Sequence, residues 1–209
     1  MKPLLLLTML PLLLSCVSNG VVFGVNEDTP HITQHVVKVF IGIPTLFGLE
    51  GSMVNIGNGF YLTAKHNYPI LEAQLLDVVY HPTCDIAIIK TDNLSNHILK
   101  LGLVYQDTTV HTAGYPIAAP LSSSNGVFIG DIYEAKGECL YSATDAPVRS
   151  GMSGGGVFNE QGELVGIIRG VMYGEVMWND GRLAKDITIF TTLKFVEDWI
   201  FEHTHLRVE

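Results

Sequence analysis

The chain has 209 residues, of which 47% are hydrophobic and only 16% charged, and its formal net charge is −9. That is enough apolar sequence for one domain or two small lobes around a packed core, and it excludes a disordered chain. The acidic balance, with no run of Lys or Arg anywhere, excludes a nucleic-acid-binding surface.

The amino terminus, "MKPLLLLTMLPLLLSC", has one lysine and then an apolar stretch from Leu4 to Leu14. Its length suits a secretory signal and is short for a membrane span, so residues 1–15 are predicted to be an export signal. Leu13-Leu14-Ser15-Cys16 resembles the lipobox of bacterial lipoproteins, in which the cysteine becomes the lipidated first residue of the mature chain. Two outcomes fit: a lipid anchor at Cys16 in the cell envelope, or cleavage nearby without lipid, leaving a periplasmic or secreted protein. Residues 16–30 read as a short polar tether. Export puts Cys84 and Cys139 where disulfides persist. A bond between them and two small buried thiols both fit. The eight histidines lack Cys-x-x-Cys or His-x-x-x-His spacing, so no metal and no cofactor is predicted.

Further along, "FYLTA" (60–64), "LLDVVYH" (75–81), "DIAIIK" (85–90), "VFIGDIYEA" (127–135) and "GELVGIIRGVMYG" (162–174) are β-branched or aromatic runs, many of them separated by Gly, Asn or Pro. They predict strands joined by turns, hence an all-β fold. Helical periodicity is expected only near the end, in "TTLKFVEDWIFEH", where Leu193, Val196, Trp199 and Ile200 share a face behind a threonine suited to cap it. The segment "GLVYQDTTVHTAGYP" is the expected crossing between a first lobe, 31–104, and a second, 105–209.

The stretch "SGMSGGGV", Ser150 to Val157, admits three readings: a linker, a phosphate-binding turn, or the backbone cage of a nucleophile. A linker should continue polar, but "GVF", the turn "NEQGE" and "LVGII" read as a hairpin. A phosphate loop needs a lysine and a following helix, and neither is present. A serine nucleophile needs a base and a group that orients the base. His66, just after "FYLTA", and Asp85, at the head of "DIAIIK", supply both types in the order His, Asp, Ser.

Together "GFYLTAKH", "DIAIIK" and "SGMSGGGVF…GELVGI" resemble the signatures of trypsin-like (chymotrypsin-fold) serine proteases. "TDAPVRSGMSGGGVFNEQGELVGI" is similar to the nucleophile region of the HtrA-like branch, and the resemblance spans roughly residues 35–202. It implies two Greek-key antiparallel β-barrels with a C-terminal α-helix and a catalytic cleft between them. It further implies Ser153 as nucleophile, His66 as general base and then acid, and Asp85 as the carboxylate that holds the imidazole. Asp77 competes for that last role, though the run behind Asp85 fits the family better. The N–H groups of Gly151 and Ser153 would form the oxyanion hole, with Gly154 and Gly155 allowing close approach of chain and substrate. Pro147 and Val148 would floor the first substrate pocket, and Ile168, Arg169 and Gly170 would lie on the strand that pairs with an extended peptide. With no carboxylate at that floor, small or medium apolar side chains are expected ahead of Lys or Arg.

Three departures from the family pattern stand out. Only 19 positions separate His66 from Asp85, which implies a trimmed, incomplete first barrel. Met152 stands where zymogen-type members carry an aspartate, so that salt bridge is unavailable. Arg169 replaces a small residue, and could lie by Asp85, at the substrate edge or in solvent. The length leaves no room for an appended PDZ domain. The rival readings are a non-catalytic peptide-binding protein of the same fold and, more weakly, an esterase, whose nucleophile elbow would need a helix after the serine.

Overall fold

The computed structural model describes residues 18–22, 24–25, 30–43, 47–92, 97–133, 139–178 and 180–209. The predicted signal 1–15 and Cys16 lie outside them. After a one-turn helix α1 (Pro30–Thr33), the first lobe contains strands β1 (Val36–Ile43), β2 (Phe47–Gly57), β3 (Phe60–Thr63), β4 (Asp77–Tyr80) and β5 (Ala87–Lys90), ordered β1-β2-β3-β5-β4 and antiparallel throughout. Asn58 and Gly59, both with positive φ, make the two-residue turn that joins β2 to β3.

β5 is buried on both faces, which is why its sequence reads as an unbroken apolar run. Ile89 packs under Ile70 and Leu71 of a short helix α2 (Tyr68–Ala73), while Ile86 and Ile88 join Phe158, Leu164 and Ile167 of the second lobe in a common core. The periodicity did not indicate α2: it has six residues, begun by a proline in its first turn, too few for a periodic stripe. The interval between His66 and Asp85 holds only α2 and β4, and among the described residues no strand closes this sheet into a barrel.

The second lobe is a closed six-stranded barrel of β6 (Thr109–Gly114), β7 (Ser122–Tyr133), β8 (Leu140–Thr144), β9 (Gly156–Asn159), β10 (Leu164–Met177) and β11 (Leu183–Thr192), in the order β10-β11-β8-β7-β6-β9. Val110, Phe128, Val157, Val165 and Phe190 fill it. The expected hairpin around "NEQGE" is β9–β10. The expected C-terminal helix is in two pieces, a 3₁₀ turn over Leu193–Val196 and then α3 (Glu197–Thr204). No threonine hydroxyl caps it: Thr191 Oγ1 donates to the Asp85 carbonyl and Thr192 Oγ1 pairs with Ser142 Oγ.

A Cys84–Cys139 disulfide joins the lobes one residue before Asp85, so of the two readings of these cysteines the bonded one is realised. Within the stretch expected as a tether, residues 18–22 are docked on the second barrel, and Val22 is 2% exposed in its core.

Candidate active site

His66 lies in a 3₁₀ turn, Lys65–Asn67, that follows β3 directly. Its Nδ1 is 2.7 Å from Asp85 Oδ2, and its backbone N–H donates to Asp85 Oδ1 at 2.9 Å. With Nδ1 donating to the carboxylate, Nε2 is left as the acceptor nitrogen. The loop that carries Asp85 is held on several sides. His81 Nδ1 accepts from the Thr83 and Cys84 N–H groups, Lys65 Nζ donates to the His81 carbonyl at 2.7 Å, and Cys84 is in the disulfide. Asp77, the competing carboxylate, is on β4 and has no bond to His66 among the described residues.

Asp85 is 13% exposed and His66 46%. Burial pushes the Asp85 carboxyl up, but hydrogen bonds and charge from His66, helped by Arg169, outweigh it and hold the group below its ordinary value. Arg169 Nε is 3.6 Å from Asp85 Oδ2, and its guanidinium lies 4.4 Å from the Tyr141 ring centroid. Of the three places open to it, this one is beside Asp85, at the cleft edge.

Ser153 reaches the same cleft from the second lobe. Ser153 and His66 both line a cavity of about 200 Å³ with Leu49, Glu50, Pro69 and Ile70. The Ser153 hydroxyl donates to the Arg169 carbonyl at 3.0 Å, and no hydrogen bond joins it to His66. The structure therefore pairs His66 with Asp85 and brings Ser153 to the same cleft with its hydroxyl turned aside.

The backbone before Ser153 forms a type II turn: Met152 N–H donates to the Arg149 carbonyl at 3.0 Å, and Gly151 at its third position has φ of +93°. The Ser150 carbonyl accepts from Ile117 N–H at 2.8 Å, so across that trans peptide the Gly151 N–H points the opposite way. Among the described residues neither the Gly151 nor the Ser153 N–H has a protein acceptor. Met152 is buried in the barrel core, and its Sδ accepts from the Arg149 N–H at 3.4 Å.

Three polar residues not singled out in the sequence fix this segment from the first lobe. Ser52 N–H and Asn67 Nδ2 both donate to the Ser153 carbonyl, at 2.9 and 3.1 Å. Asn67 Nδ2 also donates to Thr63 Oγ1, which donates to the Ser52 carbonyl, while Ser52 Oγ receives the Tyr115 N–H and donates to the Gly151 carbonyl. A Cβ at Gly154, which has φ of +85°, would collide with the Ser52 carbonyl and Thr63 Oγ1, and one at Gly155 with the Ala113 carbonyl. These two glycines thus serve contact between the lobes and within the barrel rather than approach of substrate, which corrects the sequence expectation.

Of the expected substrate contacts, Arg169 and Gly170 line a second cavity, about 470 Å³, with His66, Asp85, Val171, Met172 and Ile189. Val148 and Ile168 do not: they are 1% and 0% exposed, with side chains packed in the barrel core. Pro147 lines neither cavity next to His66, and packs by Gly20. Beyond Ile168, β10 has left β9 and among the described residues pairs only with β11, so from Gly170 onward one edge carries no second strand. Among the described residues no group of three His, Cys, Asp or Glu could hold a metal ion, and no helix is long and apolar enough to cross a membrane.

The sequence matches the family model of the trypsin-like peptidase domain over residues 19–167. No curated protein sequence matches the chain. Similar solved structures include the active form of the Rv3671c protease from M. tuberculosis, 17% identical with a TM-score of 0.59, covering 87% of this chain and 89% of that one. The MamO protease domain from Magnetospirillum magneticum is 19% identical with a TM-score of 0.59, covering 82% and 96%. The HtrA-type protease AlgW, solved with a tripeptide, is 19% identical with a TM-score of 0.60 over 82% of this chain and 61% of that one.

Proposed function

Since the chain belongs to the trypsin-like peptidase family, and is thereby a serine-type endopeptidase, we propose that it cuts peptide bonds through Ser153, with His66 as base and Asp85 as the group that orients it. The observation that carries this reading is His66, bonded through Nδ1 to Asp85 at 2.7 Å while sharing a cavity with Ser153. Rotation about the Ser153 Cα–Cβ bond exchanges the Arg169 carbonyl for His66 Nε2 as acceptor. The hydroxyl oxygen then attacks the substrate carbonyl carbon as its proton passes to Nε2, and Asp85 stabilises the imidazolium. The oxyanion that forms is received by the Gly151 and Ser153 N–H groups, each contributing about 3 kcal/mol. His66 returns the proton to the leaving amine, and water, activated by the same imidazole, releases the acyl group.

The edge of β10 from Gly170 onward suits an extended peptide added as a strand, and a similar HtrA-type protease was solved with a tripeptide. Val171, Met172 and Ile189 give the larger cavity an apolar wall, while the Arg169 cation repels Lys or Arg. Small or medium apolar side chains are therefore favoured at the cut, and faster cleavage after arginine in a peptide library would refute this. We assign the protein to the bacterial cell envelope on its amino-terminal motif, with lipid at Cys16. The Cys84–Cys139 bond supports an oxidising compartment, and the mass of the mature amino terminus tests the anchor.

A fluorophosphonate, which reacts only with an activated serine, tests the catalytic assignment. Wild type takes one label and Ser153→Ala none. An unlabelled, folded wild type would overturn the role of Ser153 and leave the cleft as a peptide-holding groove, the reading that the Ser153–Arg169 bond favours.

A further inference from the structure

The segment just after Cys16 packs against the chain that leads into the Arg149–Met152 turn. Ser18 forms an antiparallel bridge with Arg149, and Gly20 packs on Pro147. Asn19 uses both ends of its amide. Oδ1 accepts the Val148 N–H at 2.8 Å, and Nδ2 donates to the Asp186 carbonyl at 2.8 Å and to Thr188 Oγ1 at 3.0 Å. Thr188 Oγ1 donates to the Ala146 carbonyl at 2.6 Å. One side chain, directly and through Thr188, thus ties the segment Ala146–Arg149 to β11. Two residues beyond Gly20, Val22 is buried with Val148, Met152 and Ile168.

The segment so tied runs directly into the turn that aims the Gly151 N–H. Its Val148 N–H has Asn19 as acceptor, at a residue only 1% exposed. Without Asn19, a buried donor and the Asp186 carbonyl lose their partners. The relief is a local shift of Val148 and Arg149, between the Pro147 carbonyl held by Ser124 Oγ and Thr112 Oγ1 and the Ser150 carbonyl held by the Ile117 N–H, and it enters the turn through Arg149.

We propose that residues Ser18–Val22 are a seat for the oxyanion turn and that Asn19 is a positioning residue for catalysis, so that Ser153 works at full rate only while this segment is docked. This rests on the assignment of the Gly151 and Ser153 N–H groups to the oxyanion. It also gives the supposed tether a function: at most about 11 Å of chain separates Cys16 from Asn19, so an anchor at Cys16 would hold the seat itself close to the bilayer.

The test compares full-length wild type, Asn19→Ala and Asn19→Asp by fluorophosphonate labelling and by amide hydrogen exchange. Asn19→Asp has the same size and keeps the acceptor for Val148, losing only the two donors, so it carries the test if the alanine variant does not fold. Both variants are expected to reach the wild-type labelled fraction at a rate at least tenfold lower. Exchange at Val148 should speed up at least tenfold in Asn19→Ala, and exchange at Met152 at least tenfold in both variants, with β9 unchanged. A merely structural role would lower the labelled fraction and leave the rate per labelled site unaltered. Wild-type labelling rates in both variants overturn the proposal. A wild type that takes no label overturns instead the assignment of Ser153; exchange at Val148 and Met152 then decides the seat, and unchanged exchange overturns it.

Discussion

The two halves of the cleft are held by different means. On the His66 side, in the open sheet, the fixing groups are side chains: Asp85 on the imidazole, His81 and Lys65 on the loop that bears Asp85, and the disulfide behind it. On the Ser153 side, against the closed barrel, they act on backbone: the type II turn, the Ser153 carbonyl, and the Gly154 N–H donating to Ile168. An open sheet lacks a continuous ring of ladder hydrogen bonds to brace a loop, so side chains supply the bracing. The barrel holds its turn by the main chain, and among the described residues the Ser153 hydroxyl is engaged only by the Arg169 carbonyl. His66 is thus fixed by a side chain, Asp85, and Ser153 by its own main chain.

That contrast breaks most severely where the two halves touch, at Gly154. Gly154→Ala adds a left-handed backbone cost of about 1–2 kcal/mol and an overpacking cost of about 1–3 kcal/mol against the Ser52 carbonyl and Thr63. The expected loss is about 3 kcal/mol or more in urea unfolding, with activity lost as well. Gly174 also has positive φ but nothing within 4 Å, so Gly174→Ala reports the backbone cost alone. Equal losses in the two variants would show that the contact between lobes at Gly154 carries no energy.

Asn67 is the next point of attack, because it follows His66 in sequence and bonds the Ser153 carbonyl in space. Asn67→Ala leaves Ser52 N–H on that carbonyl, so the fold survives and the Ser153 main chain loosens. The expected result is a fall in kcat of about tenfold, near 1.4 kcal/mol, with KM little changed. A change confined to KM would mean that Asn67 serves the cavity wall rather than the position of Ser153.

Much of this arrangement is legible from sequence where it is local. β3, β5 and the β9–β10 hairpin follow from apolar runs and turn residues, and His66, Asp85 and Ser153 stand out because each is set in its own short motif. Asn19 and Asn67 do not stand out, because their partners lie 129 and 86 positions away and an isolated asparagine has no pattern. The direction of a side chain is equally hidden. Val148, in the connection from β8 to β9, and Ile168, on β10, are both expected at the substrate, but each packs inside the barrel, and Arg169, displaced by a bulge in the β10–β11 register, takes the cleft face beside Ile168. The acceptor of the Ser153 hydroxyl is a rotamer choice that no sequence encodes.

The smallest effect sharpens the His66 side and is read by pH. The Asp85 carboxyl is raised by burial and lowered further by His66 and Arg169, ending below its ordinary value. A carboxyl with a depressed folded pKa binds its proton more readily when unfolded. Its contribution is thus fully present above the unfolded value of about 3.9 and is lost as pH falls through the lower folded value. Asp85→Asn removes the charge but keeps an oxygen for the His66 backbone N–H. Its stability deficit relative to wild type should be present at about pH 5 and shrink as pH falls below about 4. Urea unfolding of both proteins across that range measures the deficit directly. If it closed above about pH 5, the titrating group would not be Asp85.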